Sequence, residues 1–100
     1  MRISFFRQFP VEIKLAGKTR ALKISAGFTA PVNPQSGMSV NLVDVDSWMK
    51  STIESLAKDN FSDWSLALQK AYQELSNHGS LVRVELEDPM TFSKIELSRP

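Results

Sequence analysis

Apolar and polar residues alternate along the start of the chain, which is the pattern of strands with one buried face. From about Ile3 to Leu15 most second positions are apolar, and this predicts one long strand. Pro10 lies inside it and cannot donate a ladder hydrogen bond, so we place it at a bulge or on a sheet edge. Gly17 supplies a turn because glycine tolerates positive φ. The alternation then resumes and ends at Gly27, which predicts an N-terminal β-hairpin.

A proline-containing stretch, residues 29–36, follows the hairpin and predicts an irregular connection. Residues 38–42 alternate again and predict a short strand. The first helix is predicted over residues 47–58, with Asp46 as its N-cap. Asp44 offers a second carboxylate near the same helix start, where negative charge is favourable.

A second helix is predicted to begin near Ser62 or Asp63 and to end at Gly79 in a left-handed conformation. If Ser62 is the cap, Phe61 and Leu66 occupy the two positions of a hydrophobic staple. One apolar stripe with helical spacing supports the assignment. It consists of Trp64, Leu68, Ala71 and Leu75.

A second β-hairpin is predicted at the end of the chain. Residues 82–87 alternate between apolar and charged side chains, Asp88 and Pro89 form a turn, and residues 91–97 form the last strand. The order ββααββ indicates an α+β protein, with an antiparallel sheet and two helices on one face. The other face and both sheet edges would be open, and open edges are usually blunted or paired. We therefore predict a ring-shaped homo-oligomer.

The composition of the chain excludes several classes of partner and of catalytic site. The chain has 100 residues, 42% of them apolar, and we expect a single domain over residues 1–100. Its net charge is +1 and it has no lysine or arginine run, so we expect no nucleic acid or membrane partner. Without cysteine and with one histidine, it has no thiolate chemistry and no multi-histidine metal site within one chain. No signal peptide or membrane span is evident, and a cytoplasmic location is expected.

A local motif adds a family resemblance. Gly27 is followed by a loop and then by Gly37, Met38, Asn41 and Leu42. This motif and the element order resemble the family of 6-pyruvoyl-tetrahydropterin synthase and 6-carboxytetrahydropterin synthase. The resemblance implies a T-fold, whose subunits close into a β-barrel around a tunnel and form their sites between subunits.

The zinc ligands of that family are not matched. Its enzymes hold zinc with three histidines, but the corresponding segments here, residues 5–9 and 15–19, contain none. Its Asp and His for proton transfer are replaced within Leu56-Ala57-Lys58-Asp59-Asn60-Phe61, and the cysteine that some members use is absent. The resemblance therefore implies a divergent member without zinc, and we expect no cofactor.

The family also anchors the pterin ring with a glutamate in the third strand. A flush alignment places Leu86 at that position, and a slip of one residue offers Glu87 or Glu85 instead. Both glutamates share a strand face with Arg83, which also fits a solvated, charge-balanced surface. His78 is read as a solvated imidazole at a helix end, and both tryptophans as packing residues.

Three functions remain open from the sequence. The first is binding of a pterin or purine-like ring between subunits, without lyase activity. The second is metal-independent catalysis in pterin metabolism, using Lys58 or Lys18 with Glu87 or Glu85. The third is a non-catalytic oligomeric scaffold or interaction protein.

Overall fold

The computed structural model describes residues 2–31, 42–78 and 81–99. Its elements in chain order are β1 (Arg2–Leu15), β2 (Lys18–Pro31), α1 (Leu42–Ala57), β3 (Asn60–Phe61), α2 (Trp64–Ser76), β4 (Leu81–Asp88) and β5 (Ser93–Ser98). The strands form one sheet in the order β3-β1-β2-β4-β5, which is curled into a half-barrel. The predicted α+β class and its two hairpins flanking two helices are confirmed.

The N-terminal hairpin is confirmed. β1 and β2 pair antiparallel from Arg2 opposite Pro31 to Leu15 opposite Lys18. The turn residues Ala16 and Gly17 have φ values of 52° and 81°, as a two-residue type I′ turn requires.

Pro10 has the edge position that the sequence predicts. The outer side of β1 pairs with β3 only at Lys14 and Leu15, so within the described residues Pro10 faces an unpaired edge.

β2 is longer than predicted. It continues past Gly27 to Pro31, so the predicted end of the strand and the predicted start of the connection at Thr29 are wrong. The extra residues are held in the strand because the beginning of β1, from Arg2 to Phe5, pairs with them. At Pro31 the described partner of β2 is β1 alone, because the pairing with β4 ends at Phe28, and proline is tolerated at such a strand edge.

The predicted start of α1 is also wrong, whereas its predicted end near Lys58 lies within one residue of the observed end at Ala57. The helix begins at Leu42, so Asp46 lies inside it instead of capping it, and Asp44 is in the first turn. Asp46 is satisfied by Arg7 of β1, whose Nε and Nη2 donate to its two carboxylate oxygens at 2.7 and 2.8 Å. The predicted strand over residues 38–42 is contradicted at Leu42, and its other positions lie outside the described residues.

The sheet is mixed, whereas the sequence predicts an antiparallel one. β3 lies between the helices and runs parallel to the end of β1. The backbone N–H of Ala16 donates to the carbonyl of Phe61 at 2.7 Å, and that of Gly17 donates to the side chain of Asn60 at 2.8 Å. This seam fixes the turn of the first hairpin to the junction between the helices.

α2 begins after Asp63, one of the two predicted caps. Its carboxylate accepts from the backbone N–H groups of Ser65 and Leu66. The Ser65 hydroxyl is the main cause that lowers the pKa of Asp63, and the two backbone donors add to it. The predicted staple is wrong, because with Asp63 as the cap its first position is the polar Ser62. The predicted helix end at Gly79 lies outside the described residues.

A β-bulge shifts the start of β4. Phe28 pairs with Leu81 while Gly27 pairs with Arg83, so Val82 is an extra residue on β4. Leu81 therefore takes the buried position that the alternation assigns to Val82. Beyond the bulge, the predicted inward positions Val84 and Leu86 are fully buried.

Both helices cover the same face of the sheet, as the sequence predicts. Their buried side chains and the inward residues of β1, β2 and β4 form one core. The largest fully buried members are Ile13, Ile24, Met49, Leu56, Leu75, Leu81 and Leu86. Trp48 and Trp64 are half-buried against this core, in the packing role expected for them. Neither of the described helices is long and apolar enough to cross a membrane.

Candidate functional site

The sheet face opposite the helices is polar and open. Glu85 and Glu87 alternate with Leu86, and both point to this open face, while Leu86 is fully buried in the core. Leu86, which the flush alignment places at the family's anchoring position, therefore faces the helices. The two glutamates predicted from a one-residue slip face outward.

The two glutamates differ in how enclosed they are. The Glu85 side chain is 14% exposed and lies 3.4 Å from Arg83 Nε and 3.9 Å from Lys94 Nζ. The Glu87 side chain is 32% exposed and lies 3.8 Å from Lys23 Nζ. Glu85 thus lies close to two cationic side chains, and it is the more enclosed of the two glutamates.

An aromatic–cation pair lies next to Glu85. In the register of the sheet, Phe6, Gly27 and Arg83 form a row across β1, β2 and β4. Above Gly27 the Arg83 guanidinium carbon lies 4.9 Å from the centre of the Phe6 ring. Sequence reasoning missed this row because it depends on strand register. Two signals point to it: a glycine within a strand, and a phenylalanine at a polar position of the alternation.

These side chains border a groove of about 300 Å³ on the open face. Its remaining walls include Gln8 and Ser25, which face each other across the hairpin, and the Gln8 amide donates to the Ser25 hydroxyl at 3.1 Å. The groove therefore combines a flat apolar surface with a carboxylate, an amide and a hydroxyl. Such a combination suits a planar ring that carries hydrogen-bonding groups on its edge.

The lysines predicted for catalysis are not brought to Glu85 or Glu87 within one subunit. Lys18 precedes Lys23, the partner of Glu87, by five positions on β2, roughly 16 Å at the rise of a strand. Lys58 follows α1, on the side of the sheet that the helices cover. Arg20, near Lys18 in the hairpin, is paired with Asp88 at 2.6 Å.

The residues present do not fit a zinc ion. The segments that correspond to the family's zinc-ligand positions, residues 5–9 and 15–19, contain no histidine or cysteine. His78 is exposed, and its ring stacks on Trp48 with centroids 4.8 Å apart. Among the described residues, no three His, Asp or Glu side chains are grouped as metal ligands.

A curled sheet that carries two helices on one face, between two hairpins, defines the T-fold, and the fold implied by the sequence resemblance is confirmed. Among solved structures, the chain is similar to 6-pyruvoyl tetrahydropterin synthase from Caenorhabditis elegans, with a TM-score of 0.64 and 12% identity over 100% of this chain and 96% of that one.

It is also similar to dihydroneopterin aldolase from Burkholderia thailandensis bound to guanine, with a TM-score of 0.70 and 17% identity over 99% of this chain and 89% of that one. No family model and no curated protein matches the sequence. At these identities the similarity establishes a shared fold.

Proposed function

We propose that this T-fold protein binds a pterin or purine-like ring, with Glu85 as the group that recognises the ring edge, and that it lacks zinc-dependent lyase activity. The observation that carries this proposal is the placement of Glu85. Its carboxylate lies beside an open groove and is oriented by Arg83 and Lys94. Glu87, which is more exposed and paired with Lys23, is the second candidate.

The chemistry of the ring edge supports this choice. Guanine and pterin share a 2-amino-4-oxo edge, on which a ring N–H lies beside an amino group. One carboxylate accepts both as two parallel hydrogen bonds, and such charge-assisted pairs are strong and directional. The structural similarity to a pterin synthase and to an aldolase bound to guanine is consistent with a ligand of this class.

The proposed absence of zinc-dependent lyase activity rests on the side chains available to bind zinc. The resemblance calls for three histidines on zinc, and this chain has one histidine and no cysteine. That histidine stacks on Trp48, on the helix-covered side of the sheet. A preparation that holds stoichiometric zinc after passage through metal-free buffer would contradict this part of the proposal.

Self-association is the second part of the proposal. Within the described residues, β5 has no partner on its outer side and β1 has one only at Lys14 and Leu15. Edges of this length favour pairing with another copy of the chain. We propose that a neighbouring subunit closes the groove beside Glu85. The cytoplasmic location remains a prediction.

The test is an equilibrium titration of the protein with guanine and with pterin, alongside the variants Glu85→Gln and Glu87→Gln. Loss of a charge-assisted bidentate contact should weaken binding roughly tenfold or more for Glu85→Gln. Glu87→Gln is the matched control and should bind within about twofold, because the groove does not include it. Hypoxanthine, which lacks the amino group, should bind the unaltered protein more weakly than guanine.

Two outcomes of this titration would contradict the proposal. If neither guanine nor pterin binds, ring binding is wrong. If Glu87→Gln weakens binding and Glu85→Gln does not, the recognising residue is Glu87.

A metal-independent enzyme is the alternative favoured by the similarity to an aldolase. It requires Lys18 or Lys58 of one subunit to approach Glu85 or Glu87 of another. Turnover of dihydroneopterin that is lost in Lys58→Ala or Lys18→Ala would establish it. If the protein binds no ring and co-purifies with another protein in a fixed ratio, the scaffold function is favoured instead.

A further inference from the structure

We propose that Phe6 and Arg83 form the stacking wall of the ring site, a role that rests on the proposed function. The ligand class is then a planar, fused bicyclic heterocycle with adjacent N–H donors on one edge. The face of the ring would lie on Phe6 and Arg83, while its edge is held by Glu85. A monocyclic ring with the same edge would satisfy Glu85 but leave most of this wall uncovered.

The first argument is the exposure of Phe6. It is 56% exposed on a sheet face whose neighbouring positions are polar or charged. Phe5, its neighbour in sequence, points the other way and stacks on Phe28 in the helix-covered layer. Phe6 therefore contributes little to the core, and its ring, partly covered by the Arg83 guanidinium, lines the groove.

The second argument is the fit of Phe6 over Gly27. A Cβ atom at Gly27 would lie 2.6 Å from Cε1 and 2.8 Å from Cδ1 of the Phe6 ring, distances that real side chains do not reach. The ring can occupy this place only because residue 27 has no side chain. Any other residue there would displace the ring.

The third argument is the double engagement of Arg83. Its guanidinium lies over the Phe6 ring at 4.9 Å, and its Nε lies 3.4 Å from the Glu85 carboxylate. A guanidinium stacks on aromatic faces and orients a carboxylate at the same time. One side chain thus connects the proposed stacking surface to the proposed hydrogen-bonding group, which fixes their spacing.

A purely structural role for Phe6 makes a different prediction. An aromatic residue opposite a glycine shields the bare backbone and stabilises the sheet by itself. In that case, replacement of Phe6 lowers stability but leaves ligand affinity unchanged. The two roles are separated by measuring affinity and melting temperature on the same variants.

The experiment compares guanine with isocytosine, a single ring that presents the same hydrogen-bonding edge. Stacking contributes to the affinity of each base, so the unaltered protein should bind guanine about tenfold more tightly than isocytosine. In Phe6→Leu this preference should fall to about twofold or less, because isocytosine has little stacking to lose. Phe92→Leu is the matched control, since Phe92 is 83% exposed at the β4–β5 turn, away from the groove.

Gly27→Ala tests the geometry without removing the aromatic ring. The nearest atoms to the new methyl group are those of the Phe6 side chain, which can rotate away, and the next contact, Arg83 Cγ, is at an ordinary 3.5 Å. The chain should therefore fold while the ring is displaced. The preference for guanine should be lost as in Phe6→Leu. Arg83→Gln should weaken binding of both rings, because it also releases Glu85.

The outcomes separate the two proposals. If guanine binds, Glu85→Gln weakens it, and Phe6→Leu and Gly27→Ala keep the full preference for guanine, the stacking wall is wrong and the proposed function stands. If the unaltered protein binds neither ring, both proposals fail. If Phe6→Leu lowers only the melting temperature, Phe6 serves the sheet alone and the stacking wall is again wrong.

Discussion

Ala16, in the turn between β1 and β2, has an unfavourable backbone conformation. Its φ of 52° lies in the left-handed region, where a Cβ atom is disfavoured. Asn-Gly is the preferred pair for type I′ turns, because asparagine tolerates this region. Ala16→Asn should therefore raise the free energy of unfolding by about 0.5–1 kcal/mol, measured by urea denaturation.

Ala21→Asn is the control for this substitution. It makes the same chemical change at an extended and exposed position of β2, where asparagine has a low strand propensity. It should not stabilise the protein. Equal effects of the two substitutions would show that the turn conformation is not the cause.

Asp88 makes the free energy of unfolding depend on pH in the acid range. The backbone N–H of Met90 is the main cause that lowers its pKa, and the Arg20 guanidinium adds to the effect. The unfolded chain, with an aspartate pKa of about 3.9, then binds more protons than the folded one. This stabilising contribution is complete above about pH 4 and is lost as the pH falls through the lower folded-state pKa.

Asp88→Asn should flatten the acid side of the stability profile, measured as the free energy of unfolding between about pH 2 and pH 6. Arg20→Gln should reduce the slope only in part, because the backbone N–H of Met90, the largest single cause, remains in that variant. If Arg20→Gln flattens the profile as much as Asp88→Asn, the ion pair is the dominant cause instead.

At the scale of elements, one ion pair fixes α1 to β1. Arg7 and Asp46 are 39 positions apart in sequence and form a bidentate pair, with 35% and 42% of their side chains exposed. Exposure of this extent weakens the interaction through solvent screening. A double-mutant cycle of Arg7→Gln and Asp46→Asn should give a coupling energy of roughly 0.5–1 kcal/mol, from thermal or urea unfolding.

Lys23→Gln with Asp46→Asn is the comparison cycle, because Lys23 lies on the opposite face of the sheet and pairs with Glu87. Its two effects should be additive. A coupling energy near zero for Arg7 and Asp46 would mean that the pair does not hold α1 in register.

The same pair shows why the start of α1 was not predictable from the sequence. A carboxylate ahead of an apolar stripe is a common sign of an N-cap, and Asp46 has that position in the local pattern. Its actual partner comes from β1, which no local window contains. β3 was missed for a related reason, since two residues carry no periodicity.

At the scale of the whole molecule, alternation and helical stripes were sufficient to predict the two hairpins, the two helices between them and the helix-covered face. They were also sufficient to place Glu85 and Glu87 together on the open face, because side chains alternate strictly along β4 beyond its bulge. The Phe6–Gly27–Arg83 row required the register between three strands, which depends on contacts distant in sequence.

The open edges lead to a prediction about assembly. A native mass spectrum should show a species whose mass is two or more times the 11.2 kDa of one chain. Added pterin should shift that mass by one ligand per subunit if every groove is filled. A lone subunit at high protein concentration would contradict both the closed ring and a groove completed by a neighbour.

The hydrogen bonds between the first hairpin turn and β3 make two amide protons useful probes of local opening. Ala16 and Gly17 occupy an exposed turn tip, where hydrogen exchange is ordinarily fast, yet each N–H is held by Phe61 or Asn60. Their deuterium uptake should therefore follow the lifting of the helical layer from the sheet. The rate of exchange at these two sites would reveal how often the molecule opens along this line.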